Sequence, residues 1–177
     1  MSDKVQWQLI QLPVSYLYFL SVFSLIHNNN DYMILPLLYV VFGGGSNVVL
    51  KKLVERCFDG KQWILRPMDR IPGYKKTSFG PTLTPGVYNN SSGFPSGHAQ
   101  SMTLFTSFYN TWHRRNFSHT PNLKLICLCI LCSMVMYQRY YSKCHSVSQL
   151  IFGASLGTMN SKLAYRICHS MYPDTFK

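Results

Sequence analysis

The side chains able to do chemistry fall into three clusters. The first is Arg66-Pro67, downstream of Lys51, Lys52 and Lys61. The second is Gly93-Phe94-Pro95-Ser96-Gly97-His98-Ala99-Gln100, and the third runs from Arg139 to His145, with Gln149 four residues on. A Ser-Gly pair that opens a helix offers backbone N–H groups and the positive end of the helix dipole to a phosphate. Pro95 suits a first helical turn, where a missing N–H costs nothing. His98 sits one residue later and can give or take a proton near neutral pH. Arg139 and His145 lie at the seam between two apolar stretches, where a charge is costly unless it lines a polar cavity. Each cluster alone also fits a bland reading: an ordinary Ser-Gly turn with a surface histidine, or a snorkelling arginine with an interfacial histidine.

The elements that must position these residues are apolar. Residues 5–26, 32–50, 95–112, 125–138 and 146–161 contain no Asp, Glu, Lys or Arg. About 20 apolar residues span a bilayer as a helix. The last two stretches are short for that, and the fourth lengthens if Lys124 snorkels and Arg139 faces a polar site. Asn28 to Asp31 reads as a turn. Residues 51–94 are charged and then rich in Gly, Pro, Ser and Thr, and read as an extramembrane loop with little regular structure. Gly153 and Gly157 are four apart, a spacing that suits close helix packing. The expected fold class is all-α: a polytopic transmembrane helical bundle of about five spans, with the active-site loop between spans two and three. One domain occupies residues 1–177, with the motif-bearing core at about 40–160.

Composition agrees. Charged residues make up 13% of the chain and aromatic residues 15%, against about 25% charged in soluble domains. The net charge is +11, and nearly half of the 17 basic residues lie between Lys51 and Lys76. Such a balance fits anionic lipid or a phosphorylated substrate; nucleic acid is the weaker reading, because no arginine-rich helix or aromatic RNA-binding pattern accompanies it. Cys127, Cys129 and Cys132 would point in different directions from a helix, which argues for apolar packing rather than a metal site. Asn89, Asn90 and Asn116 begin short glycosylation-type patterns, Arg114-Arg115 reads as a topology signal, and Trp7, Trp63 and Trp112 as interface residues.

Pro-Ser-Gly-His (95–98), followed by Arg139, five residues and His145, resembles the second and third signature motifs of the type 2 phosphatidic acid phosphatase superfamily. Arg66-Pro67 resembles the end of the first motif. The residues around His98 and His145 look most like the polyprenyl and dolichyl diphosphatase branch. Lys61 to Pro67 is also similar, more faintly, to glucose-6-phosphatases. The resemblance implies a membrane hydrolase that needs no metal or other cofactor. His145 would be the nucleophile, His98 the acid and base, and Arg139 and Arg66 the clamp on the phosphoryl oxygens. Ser96 and Gly97 would complete the cradle. In the first motif a lysine stands before Arg-Pro with six residues between, and here that place is Asp59; Lys51 is the preferred substitute, then Lys52, with Lys61 closer in sequence. Where relatives often carry Asp four residues after the nucleophile, to hold its ring, this chain has Gln149, whose carbonyl could accept the same bond.

The expected partners are a lipid phosphate substrate and membrane lipids, and no nucleic acid. Phosphatidate is the alternative substrate; a catalytically inactive lipid-phosphate-binding protein and a small structural membrane protein are the alternatives in kind. Topology puts the N-terminus and all three clusters on one side, and the loop 113–124 and the C-terminus on the other. The expected location is the endoplasmic reticulum or plasma membrane, with the site on the lumenal or extracytoplasmic side.

Overall fold

A computed structural model describes residues 38–58, 61–67, 92–116 and 123–173. The expected first span at 5–26, the turn at 28–31, most of the loop before Ser92 and the patterns at Asn89 and Asn90 lie outside the described residues. Within them the chain is all helical. A π-helical segment, Leu38–Gly45, leads directly into α1, Ser46–Phe58. A 3₁₀ turn at Gln62–Ile64 precedes Arg66, and three longer helices follow: α2 (Gly97–Asn116), α3 (Leu123–Tyr141) and α4 (Val147–Met171).

Three boundaries differ from the sequence reading. Helix α1 continues through Lys51, Lys52, Glu55 and Arg56 to Phe58, in a segment expected to be loop. These are good helix formers, so the charge run ends the apolar stretch without ending the helix. Helix α4 holds 25 residues against the 16-residue stretch at 146–161, because it passes Lys162 and Arg166 unbroken. Pro95 precedes helix α2 rather than lying in its first turn: Ser96 Oγ accepts from Ala99 N at 3.4 Å, so Ser96 caps the helix and Gly97 opens it.

Helices α2 and α4 form the central pair. Phe42, Leu104, Phe105, Phe108, Ala164, Tyr165 and Cys168 make one apolar cluster between them and the π-helical segment. The pair approaches closely because Gly157 faces the α2 backbone. A Cβ there would lie 2.2 Å from Gln100 O and 2.1 Å from Thr103 Oγ1. The π-helical segment frees carbonyls that buried amides satisfy: Gln100 Nε2 donates to Phe42 O (3.1 Å) and Asn160 Nδ2 to the same oxygen (2.7 Å).

Helix α3 packs on α2 through Met102, Cys132 and Val135. It is the one described helix both long and apolar enough to cross a membrane, and only 22% of its apolar window is buried. Leu123, Ile126, Ile130, Met134 and Tyr137 face outward, where a soluble core helix would bury such residues. Cys132 is buried, whereas Cys127 and Cys129 are exposed, as expected of three thiols spread around a helix.

Candidate active site

The three clusters meet at one end of the bundle, and local structure explains the spacing of each. Arg139 lies in the last turn of α3, where the chain reverses through Lys143, which has a left-handed φ of 54°. Cys144 N and His145 N then both donate to Arg139 O, at 3.1 and 3.2 Å. The interval of five residues is thus a helix end, one tight turn and a return to the same carbonyl. Ser146 begins α4 with a full capping box: its side chain accepts from Gln149 N, and Gln149 Oε1 accepts from Ser146 N.

Arg139 is fully buried and turned inward, where it donates from Nη2 to His98 Nε2. A guanidinium can only donate, so His98 is neutral in this arrangement and accepts at Nε2. His145 is buried as well, and its Nδ1 donates to Gly93 O at 2.8 Å. With the proton on Nδ1, Nε2 carries a lone pair. Burial pushes the His145 ring well below its ordinary value of 6.5, and the charges of Lys51, Arg66 and Arg139 push the same way, against the Gly93 bond. The ring is thereby kept unprotonated.

Lys51 lies one residue beyond the apolar stretch and faces this same site. Burial, then the nearby Arg66, lower it from 10.5 to about 8, Glu55 opposing and Arg139 adding to the drop. Of the three lysines weighed for the first cluster, Lys51 therefore shares a field with Arg66 and Arg139. Arg66 is buried, and its Cγ lies 2.9 Å from where a Cβ on Gly93 would stand.

Ser96 and Gly97 open α2 beside α1 and α4. The N–H of Ser96 is taken by Gln149 O at 3.2 Å, so of the two amides expected to face a phosphate, that of Ser96 is engaged elsewhere. Gly97 packs under Asn47, whose Oδ1 would lie 2.9 Å from a Cβ at that position.

Gln149 does not hold the ring of His145. Its Nε2 donates to Trp63 O and Leu65 O, both at 2.9 Å. The ring is held by Gly93 O, a backbone atom that no side-chain pattern announces. Gly93 also donates its N–H to Ile64 O at 2.7 Å, and Ser92 N donates to Glu55. An aromatic series flanks the site: Trp63 meets Phe58 and Phe94 edge-on at 5.2 and 4.9 Å, and Phe94 meets Phe152 at 4.6 Å. Trp63 is partly exposed, in keeping with an interface residue.

The model of the PAP2 superfamily, the type 2 phosphatidic acid phosphatases, matches residues 32–171. The chain belongs to the PAP2 superfamily. No curated protein and no solved structure gives a significant match. Membership in the PAP2 superfamily implies a phosphatase, a hydrolase of phosphoric esters, and the family is typically membrane-associated. The match takes in all three clusters and extends beyond the expected core of 40–160 at both ends.

Proposed function

We propose that this PAP2 chain is a multi-pass membrane phosphatase, one domain over residues 1–177, that hydrolyses a lipid phosphate, preferentially a polyprenyl diphosphate, through a phosphohistidine at His145. The observation that carries this reading is the pairing of His145 Nδ1 with Gly93 O, which leaves an unprotonated Nε2 among Lys51, Arg66, Arg139 and His98.

In the first step Nε2 of His145 attacks phosphorus and the bond to the leaving oxygen breaks. A phosphoryl oxygen that accepts from Arg139 frees His98 Nε2 to carry the proton that the leaving oxygen takes. In the second step His98 takes a proton from water, the water oxygen attacks phosphorus, the P–N bond breaks and inorganic phosphate departs. Arg66, Arg139 and Lys51 hold the phosphoryl oxygens where charge builds, so the chain itself supplies the positive field and no metal enters the scheme. The Ser96 hydroxyl and the Gly97 N–H complete the cradle at the start of α2.

A lipid substrate is supported by the setting of the site. A groove of about 500 Å³ lies between α3 and α4. Met136, Tyr137, Tyr140, Val147, Leu150 and Ile151 line its upper part, and it continues to Thr158. Tyr140 and Val147, one residue from Arg139 and two from His145, line one end of it, so an apolar chain lying there would leave its head group toward the site. Three facing cations favour a diphosphate, and the polyprenyl-like residues around both histidines point the same way. Phosphatidate is the alternative. The outward apolar face of α3, and the lengths of α2 and α4 (20 and 25 residues), support several spans. Arg114 and Arg115 stand at the end of α2 away from the site, which favours a lumenal or extracytoplasmic site in the endoplasmic reticulum or plasma membrane.

One observation favours a second reading, lipid-phosphate binding without turnover: a neutral carbonyl, not a carboxylate, orients His145. Phosphate release from a polyprenyl diphosphate in detergent, with chelator present, separates the two. The phosphatase reading expects turnover by the parent and none by His145→Ala. Tight binding of the lipid with no release by either protein favours the second reading.

A further inference from the structure

We infer that Gln149 is the positioning residue that fixes Arg66 relative to His145; this rests on the phosphatase reading of the site. Gln149 is fully buried, and its polar atoms take partners from three separate parts of the chain. Its Oε1 accepts from Ser146 N at 3.1 Å, beside the nucleophile. Its Nε2 donates to Trp63 O and Leu65 O at 2.9 Å each, across more than 80 residues. Its own carbonyl accepts from Ser96 N. The orientation of the amide is set by these partners, because the two carbonyls can only accept and the Ser146 N–H can only donate.

Capping α4 requires only the acceptor, which Glu supplies as well as Gln. The two donated bonds need a carboxamide, and they hold the turn that leads directly into Arg66. The same turn is tied to the second cluster, since Ile64 O, between the two carbonyls, accepts from Gly93 N at 2.7 Å. The Gln149 amide and the Arg66 stem both lie against Gly93, at 2.8 and 2.9 Å from a Cβ placed there. Gln149 therefore joins the backbones of all three clusters, and it acts on phosphate through Arg66 rather than by touching it.

The test uses the full chain in detergent and two near-isosteric variants, with inorganic phosphate binding and KM against kcat as readouts. Gln149→Glu keeps the cap but sets a carboxylate against two carbonyl oxygens. It should weaken phosphate binding and raise KM about tenfold or more at pH 7.5, since it leaves two buried carbonyl acceptors unsatisfied. As the pH falls and the carboxyl gains a proton, its O–H restores one donated bond, so its binding relative to the parent should partly recover. Gln149→Met should lose affinity with no such recovery. In an Arg66→Ala background neither change should weaken phosphate further, because coupled sites are not additive.

Parent-like phosphate affinity in both variants, or full additivity with Arg66→Ala, overturns the inference while leaving the phosphatase reading intact. A parent without turnover on any lipid phosphate overturns that reading instead, and the binding comparison still decides the role of Gln149. If Gln149→Met does not fold, Gln149→Asn replaces it; its amide is one methylene too short to reach both carbonyls, and parent-like affinity there also overturns the inference.

Discussion

The imidazole of His145 donates from Nδ1 to the carbonyl oxygen of Gly93 at 2.8 Å. The link ties the third cluster to the second, fixes the tautomer and leaves Nε2 as a base. Gly93 serves this purpose only because it lacks a Cβ: Arg66 Cγ and the Gln149 amide fill the place where one would stand.

Gly93→Ala therefore should lower kcat/KM by at least about tenfold, since small misplacements of reacting groups carry large rate costs. Steady-state kinetics check this, and circular dichroism should show the helices retained. Parent-like kinetics would mean that the neighbours move aside without cost.

Lys51 gives the pH dependence its basic limb. The free enzyme's kcat/KM should fall as the pH rises through about 8, where Lys51 loses its charge. Lys51→Arg should move that limb upward, because arginine stays charged. The stability effect has the opposite sign. With the folded value lowered from 10.5 to about 8, the unfolded chain binds the extra proton between those limits. Stability should then rise across that window and be lost again as the pH falls through about 8. Denaturation of the parent and of Lys51→Met at several pH values tests this, since the variant should lack the rise.

Gly153 carries the same logic into helix packing. A Cβ there would meet the Ser96 backbone, at 2.5 Å from its O and 3.2 Å from its N. Gly153→Ala should push α4 off the start of α2 and disturb the Ser96–Gln149 bond. The expected result is a loss of about 1–3 kcal/mol in stability, as for other overpacked sites, together with weaker phosphate binding. Gly157→Ala, deeper between the same helices, should lower stability while altering phosphate binding less.

The three clusters that the structure brings together at one end of the bundle were legible in the sequence because their residue types and spacing stand out against the apolar stretches around them. The helices were legible to within a few residues wherever apolar stretches meet a turn, as at Tyr141–Ser146. Helix ends were not legible where charge alone changes. Lys51 to Phe58 stays helical because nothing in it breaks a helix; composition there marks the end of the apolar stretch and not the end of the helix. The orienting role of Gly93 was hidden because a carbonyl has no side-chain signature. The position of Gln149 stands out in the sequence, but its amide points toward the Arg66 turn and not toward the ring, a choice fixed by tertiary partners far away in sequence.

The proposed mechanism requires a covalent phosphohistidine at His145. The direct measurement is an alkaline detergent quench of the purified protein during turnover of a polyprenyl diphosphate carrying ³²P in its terminal phosphate, followed by tests of the protein-bound label. The parent should carry label that survives alkali and is lost in acid, and His145→Ala should carry none. Turnover with no label on the parent, or equal labelling of His145→Ala, would contradict it.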